Sequence, residues 1–259
     1  MEPQENALET EGLTKVFGDL KAVGGVDLAV PRGSFYGFLG PNGAGKSTTI
    51  KCLTGLLEPT DGKIKILGYD PSVDDLAVKR LIGVVPEDLA LFDQLTPRET
   101  LSFIGRVHGL EQQAITDRTA ELLSLMTLQD AADGFVGDFS HGMKKKIALA
   151  AALLPAPRLL FLDEPFEGID AVASRLIRRL LENFVEGGGT IFLTSHILEI
   201  VERLCDHIAV INRGLLVAQG PIADLRAGDG MDKTLEELFI DLIEGETESD
   251  APELTWLSA

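Results

Sequence analysis

The chain is poor in the features that mark secreted, membrane-spanning or nucleic-acid-binding proteins. Of its 259 residues only two are cysteine, Cys52 and Cys205, both in segments with helical periodicity. That is too few for a disulfide framework and reads as buried thiols in a reducing compartment. No apolar run approaches the ~20 residues of a membrane span; the longest, around Ile147 to Leu154, fits a helix. The opening residues, Met1-Glu2-Pro3-Gln4-Glu5, are acidic, unlike the basic start of a signal peptide. Positive charge is scarce: 23 Lys and Arg against 41 Asp and Glu leave a net charge of -18. Such a balance argues against a general nucleic-acid binder, which carries a basic patch and a high pI. His108, His141 and His207 form no metal-ligand spacing, so no zinc site is expected. No internal repeat is visible, which points to one unit rather than a fused pair. A soluble cytoplasmic protein is the expectation.

What the chain does have is a glycine-rich turn in a telling place. Gly40-Pro41-Asn42-Gly43-Ala44-Gly45-Lys46-Ser47 fits G-x-x-x-x-G-K-[ST], between the strand-like Phe35 to Leu39 and a helix-like run from Thr48 to Leu57. Glycines let the backbone curl until successive N–H groups point at phosphate oxygens, and a helix starting there adds its positive dipole end. Lys46 then lies on the β- and γ-phosphates and Ser47 on Mg²⁺.

Arg158-Leu159-Leu160-Phe161-Leu162-Asp163-Glu164-Pro165 is an apolar run too short for a helix, and it ends in two carboxylates. It reads as a buried parallel strand. Open α/β sheets bind ligands at the carboxyl ends of such strands, so Asp163 can hold Mg²⁺ and Glu164 can face the γ-phosphate and orient water. Thr194-Ser195-His196 follows a similar strand, Thr190 to Leu193. Ser140, in Phe139-Ser140-His141-Gly142-Met143, is a good N-cap. Its hydroxyl and the first helical N–H groups make an anion site, and Met143, Ile147, Ala150, Ala151 and Leu154 form one apolar face behind it.

In this order and at this spacing, GPNGAGKST, VVPED, FSHGMKKK, LLFLDEP and TSH resemble the motif set of the ATP-binding cassette proteins, across nearly the whole chain. FLGPNGAGKSTT, SHGMKKK and LEELFIDL resemble the bacterial type-2 exporter branch. The resemblance implies ATP and Mg²⁺ as cofactors, with the nucleotide held by Phe17 on adenine, by Gly40, Pro41, Asn42, Gly43, Ala44, Gly45, Lys46, Ser47 and Thr48 on the phosphates, and by Ser140, Gly142 and Asp170 across a dimer interface. It implies Ser47, Glu87 and Asp163 as metal ligands, and Glu164 and His196 as catalytic residues. FSHGMKKK departs from the family signature, usually written LSGGQ: His141 replaces a glycine and Met143 the glutamine. Glu87 stands where many cassettes have a glutamine.

The implied protein is an ATP-hydrolysing subunit that pairs with a second copy or a related cassette and drives a transmembrane permease on a separate chain, as an exporter. It would sit in the cytoplasm, peripheral on the inner face of the membrane, with no nucleic acid as partner. A soluble non-transport ATPase of the same family, or a weakly hydrolysing half of a heterodimeric pair, are the alternatives.

The expected fold is α/β: a P-loop NTPase with a parallel core sheet from strands near Ile82, Leu159, Thr190 and Ile208. An N-terminal antiparallel β subdomain, from short strands between about 7 and 39 that include Val26 to Val30 and Phe35 to Leu39, should support the adenine. A helical subdomain at about 87–155 opens with the capping box Thr96-Pro97-Arg98-Glu99 and continues with an amphipathic segment from Asp117 to Leu128. The cassette is expected over 6–243, closing with a helix from Asp232 to Ile243. Residues 244–259 form an acidic tail, expected to be disordered, in which Trp256 is out of character.

Overall fold

Two sheets carry the chain, and the fully buried strands lie inside the larger one. The computed structural model describes residues 5–227 and 234–244. In chain order it runs β1 (Asn6–Phe17), β2 (Leu20–Val26), β3 (Ala29–Pro31), β4 (Phe35–Leu39), α1 (Lys46–Leu53), β5 (Asp61–Ile66), α2 (Asp75–Leu81) and β6 (Ile82–Val85). There follow α3 (Pro97–Val107), α4 (Gln112–Leu125), α5 (His141–Leu153), β7 (Leu159–Asp163), α6 (Ala171–Glu186), β8 (Thr190–Thr194), α7 (Leu198–Leu204), β9 (His207–Asn212), β10 (Leu215–Pro221), α8 (Ile222–Ala227) and α9 (Leu235–Glu244).

The smaller sheet is antiparallel and centred on β1. Leu8 faces Val30 on one edge and Ile66 on the other, and Thr14 likewise faces Gly24 and Asp61. Hence β2 and β3 follow one another along one edge, with β5 along the opposite edge. The expected strand from Val26 to Val30 is broken at Asp27 and Leu28. There the Thr10 hydroxyl replaces ladder bonds, donating to the Val26 carbonyl (2.7 Å) and accepting from the Leu28 N–H (2.8 Å).

The larger sheet has the order β10-β9-β4-β8-β7-β6, parallel except for β10. Phe35 to Leu39, expected in the N-terminal sheet, lies in the middle of this one. The reason is in its composition: five consecutive buried residues suit a strand covered on both faces, as do those of β7 and β8. Alternation then sends side chains to opposite layers. Tyr36, Phe38, Phe161, Phe192 and Ile211 pack beneath the antiparallel sheet, while Phe35, Leu39, Leu160, Leu162, Leu193 and Val210 pack against helices. Phe192 anchors the first layer, its ring centroid 5.3 Å from Phe38, 5.7 Å from Phe161 and 5.8 Å from Tyr36. Such aromatic pairs contribute about 0.5–1.5 kcal/mol each beyond burial.

Helices α3, α4 and α5 fall between β6 and β7, and the capping box at Thr96 and Glu99 is formed. Several boundaries differ from expectation. The helix after the glycine turn ends at Leu53, α4 starts at Gln112 and ends at Leu125, and Cys205 lies just past α7. The closing helix starts at Leu235 and runs through Glu244, the first residue of the expected tail; Asp232 and the rest of that tail, 245–259 with Trp256, lie outside the described residues. Among the described residues no helix is long and apolar enough to cross a membrane.

Candidate nucleotide site

The parallel strands end on one side of the larger sheet, and the chemistry-bearing residues follow those ends. Gly40 follows β4, Glu87 follows β6, Glu164 follows β7, His196 follows β8 and Arg213 follows β9. A cleft of about 740 Å³ opens there, lined among others by Phe17, Asn42, Lys46, Ser47, Glu164 and His196. This is the place where open α/β sheets take ligands.

One wall is the glycine turn. Gly45 has φ of +109° and starts α1, and a Cβ on it would strike the Ala22 carbonyl oxygen; one on Gly40 would strike that of Ile211. The backbone is therefore packed as tightly as a core side chain. Lys46 is 7% exposed, and its ammonium donates to the carbonyls of Gly40 (2.8 Å) and Pro41 (3.3 Å). Ala44 is buried within the turn, its N–H donating to the Pro41 carbonyl (3.1 Å). Ser47 donates to Oε2 of Glu87 across the cleft (3.3 Å). Phe17 is 45% exposed at the rim, with the Lys15 ammonium 5.1 Å from its centroid.

The opposite wall is acidic. Asp163 is 2% exposed and accepts from the Thr194 hydroxyl, which in turn accepts from the Glu164 N–H (3.1 Å). Glu164 turns its side chain into the cleft, where Oε2 is 2.9 Å from His196 Nδ1 and 3.3 Å from the His196 N–H. Burial pushes the Glu164 carboxyl above its ordinary range, against the opposing pull of His196 and then Lys46. A carboxylate so placed is a better proton acceptor than one in water. With Glu164 ionised, Nδ1 of His196 carries the hydrogen and donates it.

Of the expected residues, Gly40, Pro41, Ala44 and Asp163 belong to the turn and strand end beside the cleft without lining it, and Ser140, Gly142 and Asp170 lie on other elements. Ser140 caps α5 at the surface, accepting from the Met143 N–H (3.3 Å), and Gly142 lies in the first turn of that helix. Asp170 caps α6, accepting from the N–H groups of Val172 and Ala173 (2.9 Å each). These bonds, that from Ala173 foremost, hold its carboxyl below the usual range. His141 lies against the same loop: a Cβ on Gly168 would come within 2.9 Å of its ring.

Sequence reasoning did not assign Lys21, Ala22, Arg213 and Gly214, which also line the cleft. The turn between β9 and β10 is bolted to the glycine turn, the Gly214 N–H donating to the Ala44 carbonyl (2.9 Å) and its carbonyl accepting from Gly24 (2.8 Å). Only long-range strand pairing brings these segments together. Lys145, in the run Lys144-Lys145-Lys146 that follows the signature turn, is 2% exposed and donates to the Glu164 carbonyl. Burial lowers the affinity of its amine for the proton, opposed by the carboxylates of Glu167, Glu164, Glu87 and Asp163. Its signal was spacing: Ala148, Leu149 and Ala152, three, four and seven residues on, are all buried.

Comparison with known proteins names this geometry. A family model described as ABC transporter matches residues 23–167, more than half the chain. The chain belongs to the ABC transporter family. It is similar to the daunorubicin/doxorubicin resistance ATP-binding protein DrrA of Streptomyces peucetius, 39% identical over 86% of this chain and 68% of that protein. The bacitracin transport ATP-binding protein BcrA of Bacillus licheniformis is also 39% identical, over 85% of this chain and 71% of that one. A solved ATP-binding subunit of an ABC transporter superposes with a TM-score of 0.86 at 33% identity, covering 91% of this chain and 99% of the other. As a member of the ABC transporter family, the chain is an ATP-binding, ATP-hydrolysing cassette with the α/β fold expected of it.

Proposed function

We propose that this chain is the energy-coupling subunit of an exporter: two cassettes close around two ATP molecules and drive a separately encoded transmembrane permease from the inner face of the membrane. The drug resistance in the name of DrrA and the transport in that of BcrA support an outward transport role. A second groove of about 500 Å³ beside α3 and α5, lined by Leu76, Leu89, Leu91, Ile104, Val107 and Ala151, supports a docked partner. Leu76 and Val107 are largely exposed there, and a short apolar helix of the permease would cover them. Cargo choice then belongs to the permease.

In this reading adenine stacks on Phe17, the turn from Gly40 to Thr48 cradles the phosphates, and Lys46 reaches the β- and γ-phosphates. Mg²⁺ would be held by Ser47, Asp163 and Glu87. The donors fit: all are hard oxygens, and Ser47 already meets Glu87. No group of three or more His, Cys, Asp or Glu among the described residues could hold a metal alone, which suits an ion that takes one or two carboxylates and completes its shell with phosphate and water. When bound, the ion would draw charge from the phosphate oxygens.

The single observation that carries the catalytic reading is Glu164 Oε2 at 2.9 Å from His196 Nδ1, in a cleft that also contains Lys46. Glu164 orients the attacking water and accepts its proton, while His196, through its Nδ1–H, keeps the carboxylate aimed. Ser140, exposed, and Gly142, half-buried, at the start of α5 meet the γ-phosphate held by the second cassette, near its Asp170 loop.

Mg²⁺-dependent hydrolysis measured against protein concentration tests this, beside Glu164→Gln. The expected result is a rate that rises cooperatively with concentration and falls by on the order of a hundredfold or more in the variant. ATP binding should survive in Glu164→Gln, and size-exclusion chromatography should show an ATP-trapped dimer. Undiminished hydrolysis by that variant would overturn the role of Glu164.

A further inference from the structure

Lys144, Lys145 and Lys146 form a basic run in which two members behave as such runs do. Lys144 reaches Asp93 (3.0 Å) and Lys146 reaches the Thr127 hydroxyl (3.1 Å), both exposed interactions. Lys145 points inward instead and ends on the Glu164 backbone carbonyl. A buried ammonium costs several kcal/mol unless its surroundings compensate. With Ala148 and Leu149 beside it, an apolar side chain of similar length would fill the space without that cost. The charge therefore has work at this position.

Glu164 is where that work is done. It has φ of +48°, left-handed backbone that a residue with a Cβ occupies at a cost of about 1–3 kcal/mol. Its peptide groups are gripped on both sides. The N–H donates to the Thr194 hydroxyl (3.1 Å), and the carbonyl accepts from Lys145 and from the Glu167 N–H (3.2 Å). Held in this turn, the side chain projects toward His196. Release of the carbonyl would let residue 164 relax to ordinary φ and swing its carboxylate away. We propose that Lys145 is a positioning residue for hydrolysis, whose ammonium locks the left-handed turn at Glu164 and so ties the carboxylate that aims the water to the helix that Ser140 caps. This inference rests on the catalytic reading of Glu164 given above.

The test compares Lys145→Met, which keeps the length and loses donor and charge, with Lys145→Arg, which keeps both, in the full chain and its active assembly. For Lys145→Met, kcat should fall by on the order of a hundredfold, the scale set by misplacing a catalytic group by about an ångström. KM, ATP affinity and Tm should stay close to wild type, since Lys145 does not line the nucleotide cleft and the Glu164 carbonyl keeps the Glu167 N–H as a donor. Lys145→Arg should restore most of the rate. Hydrogen exchange gives a readout that needs no turnover. The Glu167 amide, which shares the Glu164 carbonyl with Lys145, should exchange faster in Lys145→Met, while the amides of β7 stay protected.

Wild-type kcat in a folded Lys145→Met overturns the proposal. So does a loss of ATP affinity and Tm in parallel with kcat, the pattern of a merely structural lysine. If Lys145→Met does not fold, Lys145→Gln replaces it: reduced kcat with rescue by arginine supports the proposal, and wild-type kcat ends it. The Glu164→Gln control keeps the two ideas apart. Full activity there removes the catalytic reading, whereas a dead Glu164→Gln beside an active Lys145→Met removes only the positioning role.

Discussion

The glycine turn at Gly40 to Gly45 and the signature turn at Ser140 to Gly142 both present backbone N–H groups at a helix start, yet they are built in opposite ways. In the first, the space for a side chain is already filled from inside: a Cβ on Gly40 or Gly45 meets the carbonyl of Ile211 or Ala22. In the second, a Cβ on Gly142 meets nothing within 4 Å. The first turn is glycine-rich because this chain's own backbone demands it. At Gly142 the fold makes no such demand, in keeping with the proposed approach of a second nucleotide from outside. The same difference accounts for the departures in FSHGM: His141 extends over the surface against Gly168, and Met143 packs at the edge of the core. Neither displaces buried backbone.

The largest effect should come from forcing a side chain into the packed turn. Gly45→Ala combines a φ that alanine resists with a collision on the Ala22 carbonyl, and should destabilise by about 2–4 kcal/mol and abolish ATP binding. Chemical denaturation and nucleotide titration read both. Gly142→Ala should do the reverse to stability. In the first turn of α5 and facing open space, alanine should leave the fold unchanged or up to ~1 kcal/mol more stable, while hydrolysis by the assembled pair falls. If Gly142→Ala were fully active, the idea that a second nucleotide closes on this glycine would be lost and the comparison would collapse.

The same contrast explains what the sequence revealed. Motifs governed by local backbone chemistry were legible: the glycine turn, the capping box at Thr96, the N-cap at Ser140, and the apolar strand that ends in Asp163 and Glu164. The run from Phe35 to Leu39 was recognised as a strand but assigned to the wrong sheet, because pairing partners are not written in local sequence. Its unbroken apolar character, the mark of a strand covered on both faces, was the clue. Lys21 and Arg213 reach the cleft only because β2 and the turn after β9 meet at Gly24 and Gly214. No local pattern contains that meeting. Lys145 was hidden differently, by its neighbours. A run of three lysines reads as solvated, and only the position of Ala148, Leu149 and Ala152 on the same side of α5 distinguishes the middle one.

The smallest effects, at the two helix caps, sharpen the comparison most. Thr96 and Glu99 form a full capping box: Thr96 Oγ1 accepts from the Glu99 N–H (3.2 Å) and Glu99 Oε2 accepts from the Thr96 N–H (2.9 Å). The Thr96 N–H first, and then the Thr96 hydroxyl, hold the Glu99 carboxyl below the usual glutamate range. The box is thus whole above the ordinary glutamate pKa and is lost as pH falls through the lower, folded value. Thr96→Ala should cost about 1 kcal/mol at neutral pH, leave hydrolysis per folded molecule unchanged, and differ less from wild type in acid. Ser140 has half a box. Met143 stands where glutamine or glutamate would reach back, so the hydroxyl makes one long bond to the Met143 N–H at 3.3 Å. Ser140→Ala should therefore cost less, about 0.5 kcal/mol, and yet lower hydrolysis where Thr96→Ala does not. Denaturant melts paired with ATPase rates separate the two variants. A Ser140→Ala that loses stability and keeps its rate would make Ser140 an ordinary cap like Thr96, and the signature turn would need another anion donor.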